Sequence, residues 1–185
     1  MASTFFDHNS ALLVIDIQER LMGSMPDERM KHCVHATTTM VELAAEAGAS
    51  IVYTEQYPDG LGPTESSLLE VLQSHDAGRV EKVRFDACAA TEFEPYLIEL
   101  PRRIVVCGME THICVYSTVR ELLEHNHEVI VPVDCVVSRR DEHRENGLQM
   151  MRELGATITN YETIVFDTLK SSKHAAFKRF SKMVR

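Results

Sequence analysis

Three residues in this chain could do covalent chemistry together. Cys114 lies in the run Val105-Val106-Cys107-Gly108-Met109-Glu110-Thr111-His112-Ile113-Cys114-Val115, where an apolar strand gives out at a glycine and a helix opens. A helix N-terminus carries partial positive charge and unpaired N–H groups, so it favours a thiolate and can receive an oxyanion when that thiolate attacks a carbonyl. Asp16 closes the apolar run Val14-Ile15-Asp16-Ile17-Gln18, and Lys82 stands in Glu81-Lys82-Val83-Arg84-Phe85-Asp86. Singly, each has a plain structural use: a strand-end cap, a solvated lysine, a packed thiol. Together they form a device in which Asp16 takes the thiol proton, Cys114 attacks a carbonyl or amide carbon, and Lys82 holds the charges in register. Asp16 then returns the proton to the departing amine, and water releases the acyl group.

The elements that must position them read as alternating strands and helices. Ala11 to Ile17 is too continuously apolar for a half-exposed strand and suits one covered on both faces. Further strands are expected at Ser50 to Thr54, Val80 to Phe85, Ile104 to Cys107, Val129 to Val133 and Thr157 to Thr159. Helices are expected from about Pro26 to Gly48, at Ser66 to Ser74, after Thr91, over His112 to His125, and from Ser138-x-x-Asp141 to Gly155. The segment Thr163 to Arg185 reads as helical. This order predicts an α/β Rossmann-like three-layer sandwich: a six-stranded, mainly parallel sheet with helices on both faces. Ligands of such sheets bind beyond the carboxyl ends of the strands, where Asp16, Lys82 and Cys114 all stand.

The 185 residues suit one domain spanning 1–185. The net charge of −9 is spread along the chain and argues against nucleic acid or an anionic membrane as partner. No apolar run approaches the roughly 20 residues of a membrane span, and the first residues lack a secretory signal, so a cytoplasmic location is expected. The five cysteines are widely spaced with no C-x-x-C pair, which suits reduced thiols and supports neither a zinc knuckle nor a dithiol.

The trio and its contexts resemble the isochorismatase-like cysteine hydrolases, a family that includes nicotinamidases and N-carbamoylsarcosine amidohydrolase. The matching segments are Leu13-Val14-Ile15-Asp16-Ile17-Gln18, Lys82-x-x-Phe85, Gly108 to Val115, and Val133-Asp134-Cys135-Val136-Val137-Ser138. Glu55-Gln56-Tyr57-Pro58-x-Gly60-Leu61-Gly62-Pro63-Thr64 looks most like the small isochorismatase-domain-containing proteins. The resemblance implies an Asp16/Lys82/Cys114 triad, a cis peptide between Met109 and Glu110, and an oxyanion hole from the Glu110 and Cys114 N–H groups. It also implies a homo-oligomer, a dimer or a tetramer.

Where nicotinamidases carry an Asp-x-His metal motif, this chain reads Glu55-Gln56-Tyr57, so neither zinc nor nicotinamide is expected. Isochorismatases proper lack the nucleophilic cysteine, so Cys114 argues against vinyl-ether cleavage. An aromatic residue common in the family five positions after the aspartate is replaced by Leu21. The expected pocket wall is Leu21, Glu55, Gln56, Tyr57, Met109 and His112, with Gln18 and Asp134 in structural hydrogen bonds. The expected activity is hydrolysis of a small amide, ureide or related C–N bond through an acyl-thioester, with no cofactor. The alternative is a non-catalytic or redox-sensing binding protein built around an oxidisable Cys114.

Overall fold

The computed structural model describes residues 4–185. Its elements in chain order are β1 (Ser10–Ile15), α1 (Glu19–Met22), α2 (Asp27–Glu46), β2 (Ser50–Gln56), α3 (Pro58–Leu61), α4 (Ser66–Ser74) and β3 (Gly78–Lys82). A 3-10 turn (Thr91–Phe93) leads into α5 (Glu94–Glu99) and β4 (Arg103–Met109). A π-helical turn (Thr111–Val115) then runs into α6 (Tyr116–Glu124), followed by β5 (Glu128–Pro132), β6 (Val136–Val137), α7 (Asp141–Glu153), β7 (Thr157–Thr159), α8 (Tyr161–Leu169) and α9 (Phe177–Met183).

Among the described residues seven strands form one sheet in the order β3-β2-β1-β4-β5-β7, with the two-residue β6 beside β4. Every pairing is parallel. The six expected strands are all present, and β6 is the addition. β1 is wholly buried because β2 and β4 flank it and helices cover both faces. Its side chains alternate between two cores: Leu12 and Val14 join Met30, Met40 and Leu43 of α2, whereas Leu13 and Ile15 join Phe93, Val119 and Leu122. β4 repeats the pattern, with Val105 and Cys107 on the first side and Ile104 and Val106 on the second.

The chain builds outward from β1 to β3, then crosses back to lay β4 on the other side of β1. Right-handed crossovers in opposite directions place α2 and α4 on one face and α6 and α7 on the other. The switch point lies between β1 and β4, and a crevice opens there at the carboxyl ends.

Several boundaries differ from the sequence expectation: β1 ends at Ile15 rather than Ile17, and β4 runs on to Met109. β3 ends at Lys82 rather than Phe85, because the chain leaves the edge of the sheet there. Neither Thr91 nor Ser138 caps a helix through its side chain; Ala90 and Arg140 occupy those positions. The final helical segment is broken at Lys170, which adopts a left-handed φ of 60°. Asn160, overlooked in the sequence, caps α8 by accepting from the Thr163 N–H at 2.8 Å.

Candidate active site

The carboxyl ends of four neighbouring strands, β3, β2, β1 and β4, carry Lys82, Gln56, Asp16 and, one turn later, Cys114. Asp16 follows β1 directly with a φ of 51°, a conformation that aspartate tolerates better than most residues. This bend lifts its carboxylate over the sheet edge. Lys82 Nζ lies 2.6 Å from Asp16 Oδ2, with both side chains fully shielded from solvent.

An ammonium has three protons to place. Lys82 gives one to Asp16, one to Gln56 Oε1 at 2.8 Å, and has the Arg84 and Phe85 carbonyls at 3.2 and 3.4 Å. Asp16 Oδ1 accepts from Thr54 Oγ1 at 2.7 Å. Both members of the buried pair are thus hydrogen-bonded beyond each other, which is what a buried ion pair requires.

The third member reaches the site through Gly108. A Cβ there would collide with the Ile15 carbonyl oxygen and stand 2.7 Å from the Ile15 nitrogen, and φ is +128°. Only glycine lets β4 pass β1 this closely. The peptide between Met109 and Glu110 is cis, as the resemblance implied. Beyond it the π-helical turn brings the Cys114 thiol within hydrogen-bonding reach of both Asp16 and Lys82.

The charge state of that thiol differs from the expectation of a standing thiolate. Burial, followed by the adjacent Asp16 charge, pushes the thiol up to about 12, against the pull of the Lys82 ammonium. Cys114 is 6% exposed, so desolvation outweighs the favourable end of the helix. At neutral pH sulfur therefore keeps its proton and needs an adjacent base to lose it.

The expected pocket wall is only partly where the sequence suggested. Glu55 faces inward: one oxygen accepts from the Thr64 N–H and hydroxyl, both at 2.7 Å, and the other pairs with Arg79 at 2.6 Å. Burial works to raise its carboxyl, but these partners hold it below the usual carboxylate range. Gln56 spans Lys82 and the Val83 carbonyl, the latter at 2.8 Å, so it clamps the lysine. The residues at the metal position of nicotinamidases therefore do not fit a metal: carboxylate and amide are both committed elsewhere. Met109 is sealed in the first core, and Leu21 packs half-buried against it. Tyr57 stands 55% exposed on its loop. His112 is half-buried, with Nδ1 3.0 Å from Ser138 Oγ.

Gln18 and Asp134 make structural bonds, Gln18 to the Gly62 and Gln56 backbones and Asp134 to the Tyr161 N–H. Sequence reasoning missed Thr54 and the Glu110–Arg139 pair at 3.0 Å. Thr54 left a signal: it is a polar residue within the apolar body of β2, aligned with Ile15.

The parallel sheet thus gathers a carboxylate, an ammonium and a thiol at its switch point. Comparison with known proteins specifies the class: the isochorismatase domain model matches residues 10–163. The chain belongs to the isochorismatase family and has its hydrolase fold. It is 32% identical over 182 residues to the secreted isochorismatase effector Isc1 of Phytophthora sojae, covering 96% of this chain and 85% of that one. It is also 32% identical over 180 residues to isochorismatase domain-containing protein 2 of Xenopus laevis, covering 96% and 84%. Among solved structures, the MAR1 ribonuclease of Caenorhabditis elegans superposes with a TM-score of 0.88 at 28% identity, covering 98% of this chain and 92% of that one. No helix among the described residues is long and apolar enough to cross a membrane.

Proposed function

We infer that the protein is a cysteine-dependent hydrolase of a small amide, ureide or related C–N bond. One observation carries the reading: the Cys114 thiol sits within hydrogen-bonding reach of a buried carboxylate whose orientation an ammonium fixes. As Cys114 sulfur attacks the carbonyl carbon, its proton passes to Asp16, and the carbonyl oxygen becomes an oxyanion. The Glu110 and Cys114 N–H groups, at the helix start where no intrahelical carbonyl claims them, are the oxyanion donors. Collapse breaks the C–N bond, Asp16 delivers the proton to nitrogen, and the amine leaves behind a thioester. Asp16 then takes a proton from water, whose hydroxide attacks the thioester, and the carboxylic acid departs as sulfur recovers its proton. Lys82 holds the Asp16 carboxyl in position throughout. We assign Leu21, Tyr57 and His112 to the substrate wall.

The redox-sensing reading is less well supported. A peroxide sensor needs a standing thiolate, whereas burial and Asp16 keep this thiol protonated. A ribonuclease activity, the name borne by the worm neighbour, would call for a basic face that a chain of net charge −9 is poorly supplied to offer. The reading includes one domain over 1–185, a homo-oligomeric assembly, no cofactor, and a cytoplasmic setting suited to the five free cysteines. Screening small amides and ureides against the wild type and Cys114→Ala in parallel tests the mechanism. Turnover confined to the wild type supports it, and turnover surviving in the alanine variant defeats it.

A further inference from the structure

The turn that carries Cys114 is gripped from outside the site by α7. Gly147 is the point of closest approach: a Cβ there would stand 3.0 Å from His112 Cα and 3.1 Å from the Thr111 carbonyl oxygen. His143 lies four residues earlier, so it shares the same face of the helix. Its ring sits 4.7 Å from that of His112, tilted by 44°. His112 Nδ1 is tied to Ser138 Oγ, a fully buried hydroxyl at the end of β6. His143 Nδ1 is itself buried and finds no partner, nor does the hydroxyl of buried Thr111.

This interface is built for neutral rings. A neutral imidazole can present a bare nitrogen to an apolar wall, but an imidazolium must carry N–H on both. Protonating His143 would point a donor at nothing, and two imidazoliums at this separation repel. Burial first, and then the nearby His143 and Arg139, lower the His112 imidazole against the opposing pull of Glu110. The other charges on the packed elements are engaged elsewhere: Glu110 with Arg139, Arg144 with the Val133 and Val136 carbonyls, and Arg120 of α6 with Glu121.

We propose that the His112–His143 ring pair is a proton-operated latch on the nucleophile turn. With both rings neutral, α7 rests on the turn and Cys114 faces Asp16; a proton on the pair pushes α7 away and takes the thiol out of line. His143 is a positioning residue, since it acts through His112 and the turn. The sign follows from the lowered imidazole: the fold binds fewer protons here than the unfolded chain, so the latch is closed above the ordinary imidazole value and loosens as pH falls below it.

The latch concerns the accessibility and alignment of Cys114 and bears on catalysis only through the hydrolase reading above. Its test needs no substrate. Dithiodipyridine exchange at Cys114, followed on the Cys114 peptide by mass spectrometry, is measured from about pH 5 to about pH 8. Ionisation of the thiol alone gives about one decade of rate per pH unit. Opening the latch frees the thiol from burial and from Asp16, the two causes that raise it, so in the wild type the fall in rate should flatten below the imidazole range. His143→Phe keeps a ring but no proton and should show the single-decade slope throughout. His143→Gln serves if the phenylalanine variant fails to fold by circular dichroism. His125→Gln, at an exposed histidine just past the end of α6, should keep the flattened limb. A single-decade slope throughout in the wild type, or a flattened limb persisting in the folded His143 variant, overturns the latch. Either result leaves the acyl-thioester reading intact, and the failure of that reading would leave this slope unchanged.

Discussion

Replacing Lys82 by methionine removes the ammonium and keeps most of the side-chain volume, so the loss is electrostatic. The structure lets the cost be worked. Asp16 is wholly shielded and accepts from Lys82 at 2.6 Å and from Thr54 at 2.7 Å. Without the lysine one oxygen keeps its hydroxyl partner, and the buried charge loses its counter-ion. The Gln56 amide oxygen and the Arg84 carbonyl lose a donor as well. Breaking a buried pair from one side costs about 3–5 kcal/mol. For a chain of this size that is a drop of about 6–20 °C in melting temperature. Urea denaturation should show the midpoint falling with the slope unchanged. Asp16→Asn combined with Lys82→Met should recover much of the loss, because no unpaired charge remains. A Lys82→Met destabilisation below about 1 kcal/mol, the scale of a solvent-exposed pair, would refute the argument that this pair is sealed from water.

Asp16→Asn should split two properties that are usually lost together. Removing its charge relieves the force that raises the Cys114 thiol, so exchange with dithiodipyridine at neutral pH should quicken about ten- to a hundredfold, while hydrolysis of any accepted amide falls. Slower exchange would place the carboxylate outside the thiol's reach. Gly108→Ala should prevent native folding or cost more than about 4 kcal/mol, since a Cβ would press into the Ile15 backbone; normal expression and melting would contradict the close approach. Glu55→Gln should cost about 1–3 kcal/mol in urea denaturation at neutral pH. Its carboxyl is lowered in the fold, so its stabilisation is present above the usual carboxylate value and lost as pH falls through the folded one. A cost that did not shrink with acid would mean the pairing with Thr64 and Arg79 is not ionic.

The candidate trio stood out in the sequence where a member interrupts a pattern. Asp16 ends an unbroken apolar run, and Cys114 follows a glycine that closes another. The layering was legible for the same reason: beyond their first residues, Ser10 and Arg103, β1 and β4 have no polar residue to turn outward, so helices had to cover both faces. The state of the thiol was not legible. Helix polarity can be read from local sequence, whereas the desolvation that overrides it depends on residues brought in from β1 and β3. Glu55 and Gln56 looked like a substrate rim because they are polar and next to a loop. Strand alternation sends Glu55 toward Thr64 and Arg79, and register sets Gln56 opposite Lys82. Ser138 read as a helix cap, and only the folded chain reveals His112 as its partner.

The most direct test of the covalent account is mass spectrometry of the Cys114 peptide after rapid acid quench of the protein with an accepted amide or ureide. The account predicts a mass gain equal to the acyl group on Cys114, at up to one per chain, lost on treatment with hydroxylamine and absent in Asp16→Asn. Hydrolysis of the same compound with Cys114 unmodified at every quench time, and undiminished in Cys114→Ala, would contradict it.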